Sequence, residues 1–223
     1  MLLLAADTSG KFGSIALADC GPGDECRILD LVPLTGGTFS AQLVPQIAAL
    51  LEKHGFTKAD IGGFAAASGP GSFTGLRVGL AAIKALAEVL EKPIAAVSLL
   101  EAVAESSDSN AKGLAVLDAG RTEVFVGEFE SAAGRAHVTA ERLMTQAELF
   151  SCASNAILTT PDQQISEAAK NRGLPVEQVD RPRSDAIARL GWRKIRDGQT
   201  TTPEELEANY IRRSDAEIFA KSN

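Results

Sequence analysis

The strongest constraint on the fold is a short unit that occurs twice along the chain. Residues 2–18 read as an apolar strand that ends at Asp7, a turn of small residues, and a second strand. Residues 113–129 have the same order, with Asp118 at the end of the first strand. Because Asp118 follows Asp7 by about half of the 223-residue chain, the pattern predicts an internal duplication, although single hairpins of this kind also recur by chance.

The segments around the two units alternate between apolar strands and amphipathic helices, which is typical of an α/β protein. Further strands are predicted at 28–32, 61–67 and 155–159, and helices at 40–54, 75–91, 97–104, 145–152, 161–172 and 184–197. Residues 106–110 are serine, aspartate and asparagine, and they form the best linker candidate. The sequence therefore predicts two domains, 1–108 and 109–223, and leaves open whether the last residues pack back on the first domain.

Charge, cysteine content and hydropathy exclude several classes of protein. The net charge of −7 argues against a nucleic-acid-binding protein that depends on a global basic field. The three cysteines form no CxxC motif, so neither a disulfide framework nor a thiolate zinc site is predicted. The first apolar run ends at Asp7, far short of the roughly 20 residues that span a bilayer. We expect a cytoplasmic protein with no membrane partner.

One local segment is basic despite the acidic total. Between residues 181 and 196, arginine and lysine far outnumber the single carboxylate, Asp185. On a helix this pattern most simply indicates a solvated face, with a surface for RNA or an acidic partner as the alternative. The residues that would form such a surface are Arg189, Arg193, Lys194 and Arg196.

The sharpest local motif is the glycine loop SGPGSFTGLR at residues 68–77, between a predicted strand and a predicted helix. Backbone amides at a helix start, with an arginine one turn later, suit an anion such as a phosphate. The equally acceptable interpretation is a tight turn packed closely against a neighbour. The loop does not fit the GxxxxGK[ST] pattern of a Walker A motif. Candidate phosphate-loop residues are Gly69, Gly71, Ser72, Thr74, Gly75 and Arg77.

The two repeated aspartates are candidates to flank a nucleotide and its magnesium ion. Each could instead cap its own turn through its side chain, and for Asp118 the nearby Arg121 favours that interpretation. His54 and His137 are the only histidines and lie in different halves, so no metal site is predicted. No catalytic residues are predicted. A small ATP-dependent kinase or ATPase, using Asp7 and the glycine loop, remains the alternative function.

Five segments together resemble the TsaB (YeaZ) family, formerly grouped with glycoproteases. They are LAADTS at 4–9, GPGSFTGLRVG at 69–79, VSLLEA at 97–102, LDAGRTEVF at 117–125 and NYIRR at 209–213. The resemblance covers nearly the whole chain and implies an α/β fold of the actin-like, Hsp70-like (ASKHA) type, with two lobes from a duplicated hairpin-plus-helices unit. It also implies a non-catalytic subunit for the formation of threonylcarbamoyladenosine on tRNA next to the anticodon.

The resemblance further implies partners. The helices at 40–54 and 75–91 would form the dimer surface with a threonylcarbamoyl transferase paralogue. Residues expected at or under this surface are Leu43, Ile47, Leu50, Leu76, Leu80 and Ile83. A P-loop ATPase and, through the assembly, tRNA would be further partners, and a homodimer could form in isolation. No cofactor would bind tightly, and ATP or ADP would bind only at an interface of the complex. Phe39 stands where relatives usually have histidine.

Overall fold

The computed structural model describes residues 1–35, 39–108, 112–132 and 134–211. Ser109 and Asn110 of the predicted linker, and Arg212 and Arg213 of the last family motif, lie outside the described residues. The strands are β1 (Leu2–Asp7), β2 (Gly13–Cys20), β3 (Cys26–Leu34), β4 (Ile61–Gly69), β5 (Ile94–Ser98), β6 (Lys112–Gly120), β7 (Glu123–Ala132), β8 (Arg135–Thr145), β9 (Ile157–Thr160) and β10 (Val176–Gln178). The helices are α1 (Phe39–Lys53), α2 (Phe73–Leu90), α3 (Leu99–Glu105), α4 (Gln146–Cys152), α5 (Gln163–Lys170) and α6 (Ser184–Arg196).

The strands form two five-stranded sheets of the same topology. The order is β3-β2-β1-β4-β5 in the first sheet and β8-β7-β6-β9-β10 in the second. In each sheet the first three strands pair antiparallel and the last two join in parallel. The helices also correspond, because α1 and α4 follow the third strand, α2 and α5 the fourth, and α3 and α6 the fifth. The predicted duplication is therefore confirmed.

The first sheet is covered on both faces. Leu2, Leu4 and Ala6 of β1 belong to an apolar core with α1 and α2. Successive side chains of a strand point to opposite faces, and the intervening Leu3 and Ala5 are fully buried as well. That second face is covered by α6, which packs against β1, β2, β4 and β5. A strand buried on both faces is expected to be a continuous apolar run, which explains the LLLAA sequence of β1.

The second sheet has a smaller core. Leu114 and Val116 of β6 and Val124 and Val126 of β7 pack together with residues of α4 and α5. The short helix α3 packs against β6, β7 and β8. The outer strand β8 alternates between exposed and partly buried residues, so it contributes less to the core than β6 and β7.

The two compact units do not follow the predicted boundary between residues 108 and 109. The first unit contains Met1–Ser98 and Arg183–Asn209, and the second contains Leu99–Pro182. The last helix of each half therefore packs on the sheet of the other half: α3 on the second sheet and α6 on the first. The sequence left open whether the last residues pack on the first domain. The segment that does so, 183–209, is much longer than a few terminal residues.

Local predictions differ from the structure at three strands. Residues 97–104 were expected to be helical, whereas Ile94–Ser98 is strand β5 and α3 begins at Leu99. The sequence also gave no prediction for β8 and β10. Among the described residues, none of the helices combines the length and the apolar character needed to cross a membrane.

Candidate functional site

The glycine loop joins the end of β4 to the start of α2 and is closed by its own residues. Ser72 is the N-cap of α2, and its hydroxyl accepts the Gly75 backbone N–H at 3.3 Å. The Leu76 N–H donates to the Ser72 carbonyl at 2.9 Å. A serine at this position satisfies amides that would otherwise point outward from the helix start. Ser72 therefore occupies backbone amides at the helix start that were predicted to bind an anion.

The turn after β1 packs directly into the glycine loop. The Ser72 N–H donates to the Ser9 carbonyl at 2.6 Å, and the Thr8 hydroxyl donates to the Gly75 carbonyl at 2.7 Å. A Cβ at Gly71 would lie 2.5 Å from the Ser9 carbonyl oxygen, and a Cβ at Gly75 would overlap the Thr8 carbonyl. The glycines therefore permit close backbone packing, as in the second of the two interpretations of the loop.

Asp7 and Asp118 both contribute to their own turns. The Asp7 carboxylate is buried and accepts the Ser9 N–H at 2.8 Å and the Ser9 hydroxyl at 2.5 Å. Asp118 is exposed, and its carboxylate accepts the Gly120 N–H at 3.0 Å. An aspartate that bonds to the backbone two residues later stabilises a turn.

A shallow apolar groove lies between α1 and α2, and we refer to it as the α1–α2 groove. It has a volume of about 480 Å³. Its lining residues are Ser40, Leu43, Val44, Phe73, Thr74, Arg77, Val78, Ala81 and Ala82. Val44 is 54% exposed and Phe73 is 39% exposed, so apolar side chains reach the surface here. The Arg77 guanidinium stacks on the Phe73 ring, 3.7 Å from its centroid. Arg77, predicted for phosphate, thus forms part of the groove wall.

The six residues predicted at or under the partner surface are all buried. They are Leu43, Ile47, Leu50, Leu76, Leu80 and Ile83. Of these six, only Leu43 also lines the α1–α2 groove, and Leu43, Ile47, Leu50, Leu80 and Ile83 belong to the apolar core of the first unit. Their place at or under a partner surface stays a prediction. Phe39 is buried at the start of α1 and packs against Gly13 of β2, where a Cβ would lie 2.9 Å from its ring. Phe39 therefore belongs to the core of the first unit.

Sequence reasoning did not assign Val44, Phe73, Val78, Ala81 and Ala82 to a partner surface, although a signal for them exists. Val44 follows Leu43 at the edge of the apolar stripe predicted for α1, and Ala81 and Ala82 lie between the larger apolar residues of α2. Apolar residues beside a stripe widen the apolar face beyond what one core contact needs. Such positions are where a helix can contact a second molecule as well as its own core.

The predicted basic surface lies on α6, and several of its charges have local partners. Arg189 pairs with Asp185 at 3.2 Å, and Arg196 pairs with Asp197 at 2.8 Å and also with Asp24. Lys194 donates to the Ala96 carbonyl at 3.1 Å. Arg193 also lies on α6, where it too takes part in interactions. A role in RNA binding remains a prediction for these four residues.

The titratable cluster of the first unit is an ion network rather than a metal site. Asp30 accepts from Lys53 at 2.6 Å and from His54 at 3.0 Å. The hydrogen bond from Lys53, followed by that from His54, lowers the pKa of Asp30 to about 2. Within the part of the chain that the structure describes, no three His, Cys, Asp or Glu side chains come together as a metal site.

The two sheets of the same topology, each with its helices, define an α/β protein built from a duplicated unit, as predicted for the fold. YeaZ from Pseudomonas aeruginosa superposes with a TM-score of 0.73, at 21% identity, over 94% of this chain and 99% of that one. A second solved structure, described as similar to peptidase YeaZ from Pseudomonas aeruginosa, gives a TM-score of 0.76 at 24% identity, covering 95% of this chain and 99% of that one.

Sequence comparison narrows the class to a family. The family model described as TsaD, tRNA N6-adenosine threonylcarbamoyltransferase, matches residues 34–192. The tRNA threonylcarbamoyladenosine biosynthesis protein TsaB of Bacillus subtilis is 33% identical over 58% of this chain, and the match spans only 56% of the Bacillus protein. TsaB of Escherichia coli is 25% identical over 95% of both chains. The chain belongs to the family that the model describes, as a TsaB/YeaZ member.

Proposed function

We propose that this chain is a subunit of tRNA threonylcarbamoyladenosine biosynthesis that contributes binding rather than transferase chemistry. Its α1–α2 groove binds a threonylcarbamoyltransferase, and the pair acts on tRNA together with a P-loop ATPase in the cytoplasm. The observation that carries the proposal is the exposed apolar groove, in a family whose relatives are named for this pathway. Threonylcarbamoyltransferases themselves also match part of the chain, at 41% identity over 66 residues in Erythrobacter litoralis.

The groove has the chemistry of a protein interface. Val44, Phe73, Val78 and the two alanines offer apolar surface, and Arg77 over Phe73 adds a cation that can bind a carboxylate. Helix pairs on the partner fit such a groove with their own apolar face. Because threonylcarbamoyltransferases match part of this chain in sequence, helices of such a relative are the natural occupant. The same groove would support a homodimer when the partner is absent.

The polar side chains of the candidate site form structural hydrogen bonds, and this supports a role without transferase chemistry. Thr8 and Ser9 fill the glycine loop, Asp7 stabilises its own turn, and His54 binds Asp30. The alternative of an ATP-dependent kinase or ATPase is therefore not favoured, and in our proposal ATP or ADP binds only at an interface of the complex. Micromolar binding of ATP and magnesium by the chain alone, lost in Asp7→Ala, would contradict this.

The groove is tested by changing one exposed valine at a time. Val44→Asp places a carboxylate in the groove, and we expect affinity for the transferase of the same host to fall by at least about tenfold. Val89→Asp is the matched control, since Val89 is 74% exposed on α2 and does not line the groove. Titration calorimetry would measure both affinities. Equal affinity of a folded Val44→Asp variant and the wild type would exclude the groove as the binding surface.

The pathway is tested separately from the groove. Depletion of the protein in its host should abolish threonylcarbamoyladenosine in digested tRNA, as measured by mass spectrometry. Wild type and Val89→Asp should restore the nucleoside, and Val44→Asp should not. An unchanged level after verified depletion would contradict the assignment to this pathway, whatever the groove binds.

A further inference from the structure

Two cysteines of the first unit lie opposite each other across the β2–β3 hairpin. Cys20 is the last residue of β2, Cys26 is the first residue of β3, and the strand register pairs them directly. The Cys20 thiol donates to the Cys26 sulfur, and the two sulfur atoms are 3.4 Å apart. Cys20 is 3% exposed, whereas Cys26 is half-buried and open to solvent on one side. The two thiols are therefore hydrogen-bonded to each other, with Cys20 shielded from solvent and Cys26 accessible to it.

The backbone around the pair suits a bond between the two sulfurs. The Cys20 N–H donates to the carbonyl of Met1, just before β1, and the next bond between β2 and β3 runs from the Gly21 N–H to the Glu25 carbonyl at 3.0 Å. Cys20 and Cys26 thus occupy a non-hydrogen-bonded site of the antiparallel ladder, where facing side chains are closest. A disulfide needs Cα atoms about 4.4–6.8 Å apart, which direct cross-strand partners satisfy without backbone movement.

We propose that Cys20 and Cys26 are a reversible thiol–disulfide site that is oxidised by hydroperoxides. The proposal is independent of the proposed function, because it depends only on the two thiols and their surroundings. Cys152 provides an internal comparison, since it is exposed in α4 and its thiol donates to the Leu149 carbonyl. Only the hairpin pair has a second thiol placed to complete a disulfide.

The two cysteines have different roles in this reaction. The Cys26 thiolate attacks one peroxide oxygen, the O–O bond breaks, and the leaving hydroxide takes a proton to become water, which leaves a sulfenic acid on Cys26. The Cys20 sulfur then attacks the Cys26 sulfur, and the sulfenic hydroxyl leaves as water with the Cys20 proton. In total two thiols lose two electrons and two protons, and the hydroperoxide is reduced.

The electrostatic surroundings favour this order. The hydrogen bond from Cys20, together with the positive charge of Arg189, lowers the pKa of the Cys26 thiol. The same hydrogen bond and burial raise the pKa of Cys20, which stays protonated until the sulfenic acid forms. A lower thiol pKa gives more thiolate, the form that reacts with peroxides.

The turn between the cysteines is bonded to α6, so oxidation of the cysteine pair is expected to change the surroundings of residues on α6. The indole N–H of Trp192 donates to the Gly23 carbonyl at 3.0 Å, and Arg196 pairs with Asp24. Trp192 is the single tryptophan of the chain. Closing the seven-residue loop restricts this turn, and we expect a change in Trp192 fluorescence that dithiothreitol reverses.

The test uses the full-length protein carrying Cys152→Ser, treated with hydrogen peroxide and then alkylated. Both hairpin cysteines lie between Lys11 and Arg27, so trypsin releases them on one peptide, 12–27. We expect this peptide to lose the mass of two hydrogen atoms and to resist alkylation. Dithiothreitol should restore both reactive thiols. The wild type, in which Cys152 also reacts with peroxide, confirms that the oxidant is active.

Two variants separate the disulfide from simple oxidation. In Cys20→Ser, the sulfenic acid on Cys26 should persist and react with dimedone, whereas the parent protein should give no such adduct. Arg189→Gln should slow formation of the disulfide several-fold. The proposal is overturned if peptide 12–27 gains oxygen or remains a dithiol while Cys152 of the wild type is oxidised.

Discussion

Gly75 of α2 is in direct contact with the turn after β1. Its backbone carbonyl accepts the Thr8 hydroxyl, and a side chain there would overlap the Thr8 backbone. The contact is rigid on both sides, because one partner belongs to a helix and the other follows a buried strand. From the sequence alone, an anion site and a packing site were equally acceptable at this loop, since both require glycine. Only the position of Thr8 and Ser9 distinguishes them, and those residues are distant in sequence.

Gly75→Ala is therefore expected to destabilise the protein. Forcing a methyl group into a backbone contact costs roughly 1–3 kcal/mol of unfolding free energy. Gly10→Ala is the matched control, because its Cβ would meet the Phe12 carbonyl at an ordinary 3.4 Å. Urea denaturation would measure both. A Gly75→Ala variant as stable as Gly10→Ala would contradict the packing interpretation of the loop.

The Asp30 carboxylate is expected to make the stability of the first unit depend on pH in the acid range. Its pKa is about 2 in the folded protein, held down by Lys53 and His54, and is close to 3.8 without them. A carboxyl with a lowered folded pKa stabilises the protein above the unfolded value, and the stabilisation is lost as pH falls from about 4 towards 2. Since Lys53 is mostly exposed, solvent reduces the effect to about 1 kcal/mol.

The measurement compares Asp30→Asn with the wild type in urea at pH 6, 4 and 3. The difference in unfolding free energy should be largest at pH 6 and smaller at pH 3. Asp19→Asn is the control, because Asp19 pairs with the exposed Arg27 and should give a smaller difference. A difference for Asp30→Asn that is constant over this range would show that the carboxylate charge is not responsible.

Helix α6 comes from the second half of the chain but packs on the sheet of the first unit. Ser184 begins the helix and is fully buried against β2. Its N–H donates to the Ser14 hydroxyl at 3.0 Å, and its own hydroxyl donates to the Ser14 carbonyl at 2.6 Å. Arg183, the N-cap residue, makes no side-chain cap of its own. Ser14 therefore supplies the hydrogen bond that a cap would otherwise supply.

Ser14→Ala should consequently weaken the attachment of α6. The change leaves the buried Ser184 N–H without the Ser14 hydroxyl, which costs about 1–3 kcal/mol. Ser151→Ala is a matched control, since the Ser151 hydroxyl bonds to its own exposed helix. Thermal unfolding would compare them, and equal melting temperatures for the two variants would contradict a capping role for Ser14.

The sequence predicted strongly apolar elements well and weakly patterned ones poorly. The strands around Asp7 and Asp118 and the stripes of α1 and α2 were predicted, because burial on one or both faces leaves a clear apolar pattern. Strand β8 was missed because it is an exposed strand whose pairing with β7 comes from backbone hydrogen bonds. Strand β5 was missed because α3 follows it at once, with no turn residue between Ser98 and Leu99.

At the scale of the whole molecule, the duplicated halves exchange their last helices. A boundary drawn from a polar linker at 106–110 assumed that each half covers its own sheet. Local patterns cannot reveal such an exchange, because the apolar face of α6 has the same spacing whichever sheet it covers. Ile187, Ala188, Leu190 and Gly191 of α6 are all buried. The unit that α6 completes begins with the first residues of the chain.

A fragment of residues 1–108 should therefore fail to fold cooperatively. It contains all five strands of the first sheet but lacks α6, so Leu3, Ala5 and Ala65 would lose their cover. These residues are fully buried in the complete chain, and exposing one apolar face of a sheet removes a large part of its stabilisation. The matched control joins 1–98 to 183–209 through a flexible linker, which restores the first unit. Calorimetry and near-ultraviolet circular dichroism should show a cooperative transition only for the control. Cooperative unfolding of 1–108 by itself would mean that α6 is not required for the first unit, and that the predicted boundary describes an independent domain after all.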